Sequence, residues 1–526
     1  MVFLLNNRYI NYILNLANEI EKIGEIVAGT DKEKQVMDII KKNLEDYVDE
    51  LIIEYVPVTS WYEEICMIEN NYNIYPCSIH PPYHGVIDIE LHSNKIIEFN
   101  LDALEHKEVV NMEKLADKIV LIDMPKDPDD IATVAYILSQ FKPELIVIRD
   151  KEEALRRIVV LNNAIALYRK ANQLDIPVIH IKNSLGSIDK LDKSRIYAKS
   201  SILKSYGYNI IAKMYKKYNK NIYIMAHHDH WLSGGSDNVI GVSTVTTLAK
   251  IFKNLDIDND IIFAFFTAEE GFPEDITSFY WLVGSRHHIN KHIDDILNNT
   301  ILAINIDIIY KKPLTISTSN IVLRNIINSH FSNPSLDYDN IVFDSFAFTL
   351  IGIPSITFNT FRKTLEDSIY HSNKDTIDNI DVEVVVDAVI SMYEIINKYV
   401  SVDFSKYYNA YNIIGIAQNA IVNILPSEIV VNLYRLYRIF DKCRNCLERN
   451  RYMYFISLFN RIINTSYVNK DIGRKFGLRE NTSFIMCSEN TIPIPTGVEF
   501  KNIDECYRSI DFNLELLTYI LFKHCY

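Results

Sequence analysis

Five short runs between residues 209 and 359 constrain the fold more than any other feature of the chain. They read NIIAKM, NIYIMA, DIIFAFF, TILAINID and IPSITFN, largely apolar and with little of the alternation a half-wet strand shows. Strands of that kind are covered on both faces, and helical patterns lie between them, so the expectation is an α/β unit with a mixed, mostly parallel sheet under helices on both sides. DVEVVVDAVISMYEIINKYV closes the unit, with Val382, Val385, Val386, Val389, Ile396 and Val400 on one helical stripe and Asp381 at its start.

A chain of 526 residues is too long for one core, and its texture changes along its length. Residues 1–58 read as two helices and a strand that belong with the later α/β unit. In TDKEKQVMDIIKKNLEDYV, Thr30 and Asp31 are capping candidates, and Val36, Ile39, Ile40, Leu44 and Val48 fall at helical spacing. Residues 59–203 are richer in Pro and Tyr and carry the apolar strands DKIVLIDM, PELIVIRD and IPVIHIK, which suggests a small αβ insert. Residues 204–400 hold the strand series above. Residues 401–526 look mainly helical, and their apolar helices suggest a role in homo-oligomer assembly.

The formal charge of −14 argues against nucleic acid and anionic membrane surfaces as partners, since both attract basic faces. No stretch is long and apolar enough to span a bilayer. The opening MVFLLNNRYINYIL lacks a charged leader region and reads as mature sequence. Seven scattered cysteines do not resemble a disulfide framework, and the one C-x-x-C, Cys443 and Cys446, sits in a helical pattern where two thiols can be packing residues. A reducing, cytoplasmic location is expected.

Four polar clusters share one placement. MAHHDH ends a strand, FTAEE ends the next, NID ends a third, and IYHSNKDT follows a fourth. Ligands of open α/β sheets bind beyond the carboxyl ends of strands, where loops converge. One such cluster can be a strand surfacing into water. Four in succession, all His, Asp and Glu, are the residue types zinc prefers. Glu269 and Glu270 are the sharpest local signal, because adjacent carboxylates at a buried sheet end call for a positive partner.

The segments AHHDHWLSGGSDNVIGV, TAEEG, Gly284–Ser285, INID, FDSFAFTLIGIPSITF and YHSNKDTIDNI resemble, in order and spacing, the M28 family of zinc peptidases. The resemblance covers about residues 209–400 and the two N-terminal helices, and residues 59–203 resemble the protease-associated domain that many members carry as an insert. It implies two zinc ions, with cobalt or manganese as substitutes. His227 and Asp307 would serve the first ion and Glu270 and His371 the second. Asp237 would bridge the two. Glu269 would be the general base, Tyr370 would stabilise the tetrahedral intermediate, and Asp229 would orient His227. Asp375 and Asp344 match supporting carboxylates. Alternation along a strand puts His227 and Asp229 on one side and His228 on the other, which disfavours His228 as ligand.

The chain departs from the family pattern in the loop GFPEDITSFYWLV after the glutamates, where Phe272, Phe279, Tyr280 and Trp281 either shape a substrate pocket or pack on the sheet. Ser345 stands where many members have histidine. His287, His288 and His292 are expected at the surface of a helix, and His80, His84, His180 and His330 have no motif around them. The expected activity is exopeptidase action on peptides, most simply as an aminopeptidase. A carboxypeptidase would need a basic residue such as Arg286 or Arg362 to read a carboxylate terminus. A non-catalytic receptor-like protein would have lost ligands, and a single-zinc cyclase would lack the first metal pair.

Overall fold

The computed structural model describes residues 7–70, 73–102, 112–161, 171–277, 279–339 and 342–401, with scattered residues between 431 and 521. The expected helical region after residue 400, its Cys443–Cys446 pair and its suggested role in assembly lie outside the described residues, those fragments apart. Among the described residues, no helix is long and apolar enough to cross a membrane.

Two helices, α1 (Asn7–Glu21) and α2 (Asp31–Leu44), lead into the strands β1 (Glu50–Asn70), β2 (Asn73–Pro76), β3 (Ser78–Ile79), β4 (Gly85–Leu91) and β5 (Ile96–Glu98). Then come β6 (Ile119–Asp123), α3 (Asp130–Ser139), β7 (Leu145–Arg149), β8 (Val178–Ile181) and β9 (Ser194–Met214). The rest of the chain supplies β10 (Tyr218–His227), α4 (Ile240–Phe252), β11 (Asn259–Phe266), β12 (Phe272–Pro273), α5 (Val283–Lys291) and α6 (Ile293–Asn299). After these follow β13 (Thr300–Ile306), β14 (Thr315–Thr318), α7 (Ile321–His330), β15 (Ser335–Tyr338), α8 (Ser345–Leu350), β16 (Ser355–Asn359), α9 (Phe361–Glu366) and α10 (Val382–Ser401).

The main sheet runs β12-β1-β9-β11-β10-β13-β16-β14-β15, with β2 beside β1 and β4 beside β9. Its centre, β11-β10-β13-β16, is parallel, as the apolar runs imply. The expectation of a mostly parallel sheet fails at the flanks: β1, β9 and β11 are antiparallel neighbours, and β14 runs against β16. The reason is the 21-residue partnership of β1 with β9, two strands far apart in sequence. Strand order reverses at β10, which has β11 on one side and β13 on the other, and that opens a crevice at its carboxyl end.

Alternate residues of each buried strand feed two cores. Ile222, Ile224 and Ala226 pack with α1, α2, α4 and α10, while Tyr223 and Met225 face Ile289, Ile296 and Phe348 of α5, α6 and α8. Thr30 caps α2, accepting from the Glu33 backbone N–H, as the capping pattern predicts.

A second sheet, β3-β8-β7-β6-β5, is parallel except at β3. Val120, Ile122, Ile146 and Ile148 pack on Ile131, Val134 and Leu138 of α3, and Ile119, Leu121 and Val147 pack toward Trp61, Ile196 and Ala198 of the long β1–β9 ladder. The boundaries expected at 58/59 and 203/204 fall inside β1 and β9, which run from the main sheet out to the second one. Cys66 and Cys77 correct the expectation of unpaired cysteines: they form a disulfide, with Cα atoms 5.0 Å apart. The reducing compartment inferred from unpaired thiols loses that support. Eleven residues of separation carry no signal of the pairing; the turn from β1 through β2 creates it.

Candidate active site

The polar clusters meet where β10, β11 and β13 end. His227 is the last residue of β10, Glu269 and Glu270 follow β11, and Asp307 follows β13. Two segments complete the ring. After β10 the chain makes a turn at Gly234 (φ 57°), where a Cβ would lie 2.2 Å from the His230 ring, and then delivers Asp237. His371 arrives from the loop before α10.

Asp237 joins two groups of potential ligands. His227 Nε2 lies 3.2 Å from Asp307 Oδ1 and 3.2 Å from Asp237 Oδ1. His371 Nε2 lies 2.6 Å from Glu270 Oε1 and 3.4 Å from Asp237 Oδ2. His227–Asp237–Asp307 and Asp237–Glu270–His371 therefore each present one ligand atom per residue within 4.8 Å of the others. All five ligands expected from the sequence are brought together. Imidazole and carboxylate at such spacing suit zinc, and the set could equally hold cobalt or manganese.

The electrostatics fit a missing positive charge. Burial pushes Glu269 well above the usual carboxyl range and Asp229 and Asp344 up to about 7. Burial alone would lower His371, but Glu270 and Asp237 raise it to about 10. His227 is likewise raised against its burial by Asp307 and Glu269. Two imidazoles face a surplus of buried carboxylates, the situation a bound dication relieves. Both Asp344 carboxylate oxygens and Asp237 Oδ2 are buried without a hydrogen-bond partner, which agrees with that deficit.

The supporting residues differ in one respect from expectation. Asp229 does touch His227, but through its backbone: its carbonyl lies 2.9 Å from His227 Nδ1, whereas the nearest carboxylate oxygen is 3.9 Å away. The Asp229 carboxylate instead accepts from the backbone N–H groups of Glu269 (2.9 Å) and Glu270 (3.1 Å), so it sets the paired glutamates. Asp375 does the same for Asp237, accepting from the N–H groups of Ser236 and Asp237. Asn305 donates to Asp307 at 3.2 Å. His228 points the other way, to Glu33 at 3.1 Å, as alternation requires.

Tyr370 stacks on His371 with ring centroids 3.8 Å apart. The loop after the glutamates divides between the two roles considered for it. Phe272 and Phe279 are core residues, 1% exposed, while Tyr280 and Trp281 are half-buried and meet edge to face, with ring centroids 5.0 Å apart. Burial raises the Tyr280 hydroxyl, and Glu270, Asp129 and Glu269 raise it further. Arg286 is spent inside this loop: its guanidinium donates to the carbonyls of Leu282, Phe279 and Trp281. Arg362 is exposed on α9.

Several contributors have no motif. Arg156 of the insert is fully buried, paired with Asp150 at 2.7 Å, and donates to the carbonyls of Tyr370 (2.6 Å) and Ser368. Its neighbours Leu155 and Arg157 use backbone N–H groups on Asn373 and the His371 carbonyl. Arg157 also bridges Glu25 and Glu63, and Glu25 accepts from the Leu232 N–H in the loop below Asp229. The paired arginines in ALRRIVV were the available signal, but nothing in the sequence says what they would face. His288 corrects another expectation. It is 3% exposed, not at the surface, and binds Glu54. His80 and His180 are buried together in the insert, with His180 on Asp150.

Comparisons with known proteins bear on the family and the fold. The model for peptidase family M28 matches residues 209–394. Aminopeptidase YwaD of Bacillus subtilis (strain 168) is 25% identical over 164 residues, 29% of this chain, and the chain spans about a third (34%) of that relative's length. Among solved structures, a zinc aminopeptidase from Bacillus subtilis, BSAP, superposes with a TM-score of 0.56 at 20% identity, covering 73% of this chain and 94% of the other. A peptidase M28 precursor from Shewanella amazonensis SB2B gives 0.55 at 19% identity, with 73% and 92% covered. At those identities the likeness is one of fold.

Proposed function

Since residues 209–394 belong to peptidase family M28, we propose that this chain is a zinc-dependent exopeptidase with two metal ions, acting as an aminopeptidase on peptides. The observation that carries the proposal is Asp237, whose two oxygens face two separate ligand groups. A carboxylate placed so is what holds two dications a few ångströms apart. When bound, such ions supply Lewis acidity to the scissile carbonyl and lower the pKa of water toward about 7.

The chain's own residues do the rest. Glu269 ligates nothing in either group, and its backbone is fixed by Asp229, so its carboxylate can take the proton of the attacking water. It then returns that proton to the leaving amine as the C–N bond breaks. The Tyr370 hydroxyl, carried on the ring stacked against His371, can donate to the carbonyl oxygen as that atom gains charge.

Two features support the amino end of a peptide as the recognised one. The mouth is acidic: Asp129 of the insert, pushed up to about 7 by burial and by Asp127, also feels His371 and Glu270. Arg286, the nearby cation that could have read a carboxylate terminus, is committed to three backbone carbonyls. The test is hydrolysis of aminoacyl and N-blocked peptides side by side, with and without chelator, for the wild type and Glu269→Gln. Cleavage of free-amino substrates alone, abolished by chelator, is expected. Glu269→Gln should keep its metal and lose about 10²–10⁴-fold in rate. Equal cleavage of N-blocked peptides would refute the aminopeptidase assignment, and near-normal turnover by Glu269→Gln would refute the base.

A further inference from the structure

On the far side of β9 from the strand-end crevice, a second convergence of ligand-type side chains has no part in the chemistry above. Glu54 lies on β1, and His288 and His292 stand one turn apart at the end of α5. Glu54 Oε2 is 2.9 Å from His288 Nδ1, and Glu54 Oε1 is 2.5 Å from His292 Nε2. One ligand atom from each lies within 4.8 Å of the other two. The spacing is that of the two groups sharing Asp237, where His–carboxylate distances run from 2.6 to 3.4 Å.

We propose that Glu54, His288 and His292 form an additional transition-metal site, of the zinc class, that ties α5 to the main sheet. Two imidazoles and one carboxylate, with a fourth position left to water, are a sufficient donor set for such an ion. His288 is prepared for the role. Its Nε2 lies 3.1 Å from the Tyr223 hydroxyl, a partner for Nε2–H that turns the Nδ1 lone pair toward Glu54 and His292. Glu54 is 2% exposed and steadied by Asn209, which donates to Glu54 Oε2 at 3.4 Å and to the Gly284 carbonyl at 2.9 Å. His292 is 38% exposed at its side chain and provides the entry path. Lys291, 3.6 Å from Glu54 Oε1 and half exposed, is the cation that occupies the carboxylate otherwise.

Asn209 carries the consequence inward, because its side-chain oxygen also accepts from the Thr267 N–H, two residues before Glu269. An ion here braces α5 and the strand end that bears the paired glutamates without touching substrate.

The experiment is equilibrium dialysis of the full chain against zinc, followed by elemental analysis, for the wild type, Glu54→Gln, His292→Ala and Asp237→Ala. Glu54→Gln and His292→Ala should each hold one zinc fewer per chain than the wild type, with circular dichroism unchanged. Asp237→Ala should lose zinc while keeping this ion, so a double variant Asp237→Ala/His292→Ala holds less than either parent. Zinc should raise the melting temperature of Asp237→Ala and not that of the double variant. Should Glu54→Gln fail to fold, half-exposed His292→Ala still decides. Zinc counts in His292→Ala equal to the wild type would overturn the site and leave a hydrogen-bonded His–Glu–His network. Because only differences between variants are read, that result is separate from any failure of the Asp237 centre.

Discussion

Arg156→Met tests whether the insert holds the His371 loop. The arginine and Asp150 are both fully buried, and the guanidinium makes three contacts: Asp150, the Tyr370 carbonyl and the Ser368 carbonyl. Methionine fills similar volume, so the cavity contribution is small, and what remains is electrostatic. Asp150 would keep hydrogen bonds from His180 and the Glu152 N–H but lose its arginine, and two buried carbonyls would lose their donors. Breaking a buried pair from one side costs about 3–5 kcal/mol, against about 0–1 kcal/mol for an exposed pair. Replacing both partners, Arg156→Met with Asp150→Asn, should recover part of that loss, because no charge is then left alone. The functional consequence follows from position: Ser368 and Tyr370 immediately precede His371, so losing this support should weaken zinc by about 10–100-fold. Urea denaturation and chelator competition for zinc measure the two effects. A loss below about 1 kcal/mol with unchanged zinc affinity would show that the loop holds itself and that the arginine is incidental.

Two further predictions are independent of that loop. Asp237→Ala should remove metal from both ligand groups, because one oxygen serves each; elemental analysis showing full occupancy would contradict a bridging role. Acid should destabilise the insert. Burial lowers His80 and His180 below the usual imidazole value, and Asp150, which burial would raise, is held low by His180 and Arg156. A folded-state imidazole pKa below its unfolded value of about 6.5 means the unfolded chain binds the extra proton, so stability falls as pH drops below about 6.5. The depressed carboxylate adds a loss of the same sign below about pH 4. Melting temperature should therefore fall from about pH 7 to 5, and less so in His180→Asn; a flat profile would refute this.

Local sequence was enough for much of the site. Apolar runs placed β10, β11, β13 and β16, because a strand buried on both faces has no freedom to alternate; β10, β11 and β13 each lead directly into a ligand, whereas His371 follows β16 only after α9. Strand alternation separated His227 from His228, which the structure pairs with Glu33. The capping pattern at Thr30 marked the start of α2 but not the fate of Glu33, whose Oε1, the oxygen that meets His228, also accepts from the Thr267 hydroxyl and so ties α2 to the strand end. Even the roles of supporting carboxylates blurred at close range. Asp229 sits two residues from His227, yet its carboxylate turns to Glu269 and Glu270, a choice made by the loop's path.

By itself, then, the sequence determined which residue types stand at strand ends, which faces are apolar and which helices are capped, since these depend on neighbours within a turn or two. Only the tertiary structure decided that β1 and β9 run antiparallel for 21 residues, that Cys66 meets Cys77, that Arg156 reaches the carbonyl beside His371 and that Glu54 meets His288. Each of these joins groups whose separation along the chain says nothing of their separation in space, and their pairing follows from which surfaces the packed layers leave facing one another.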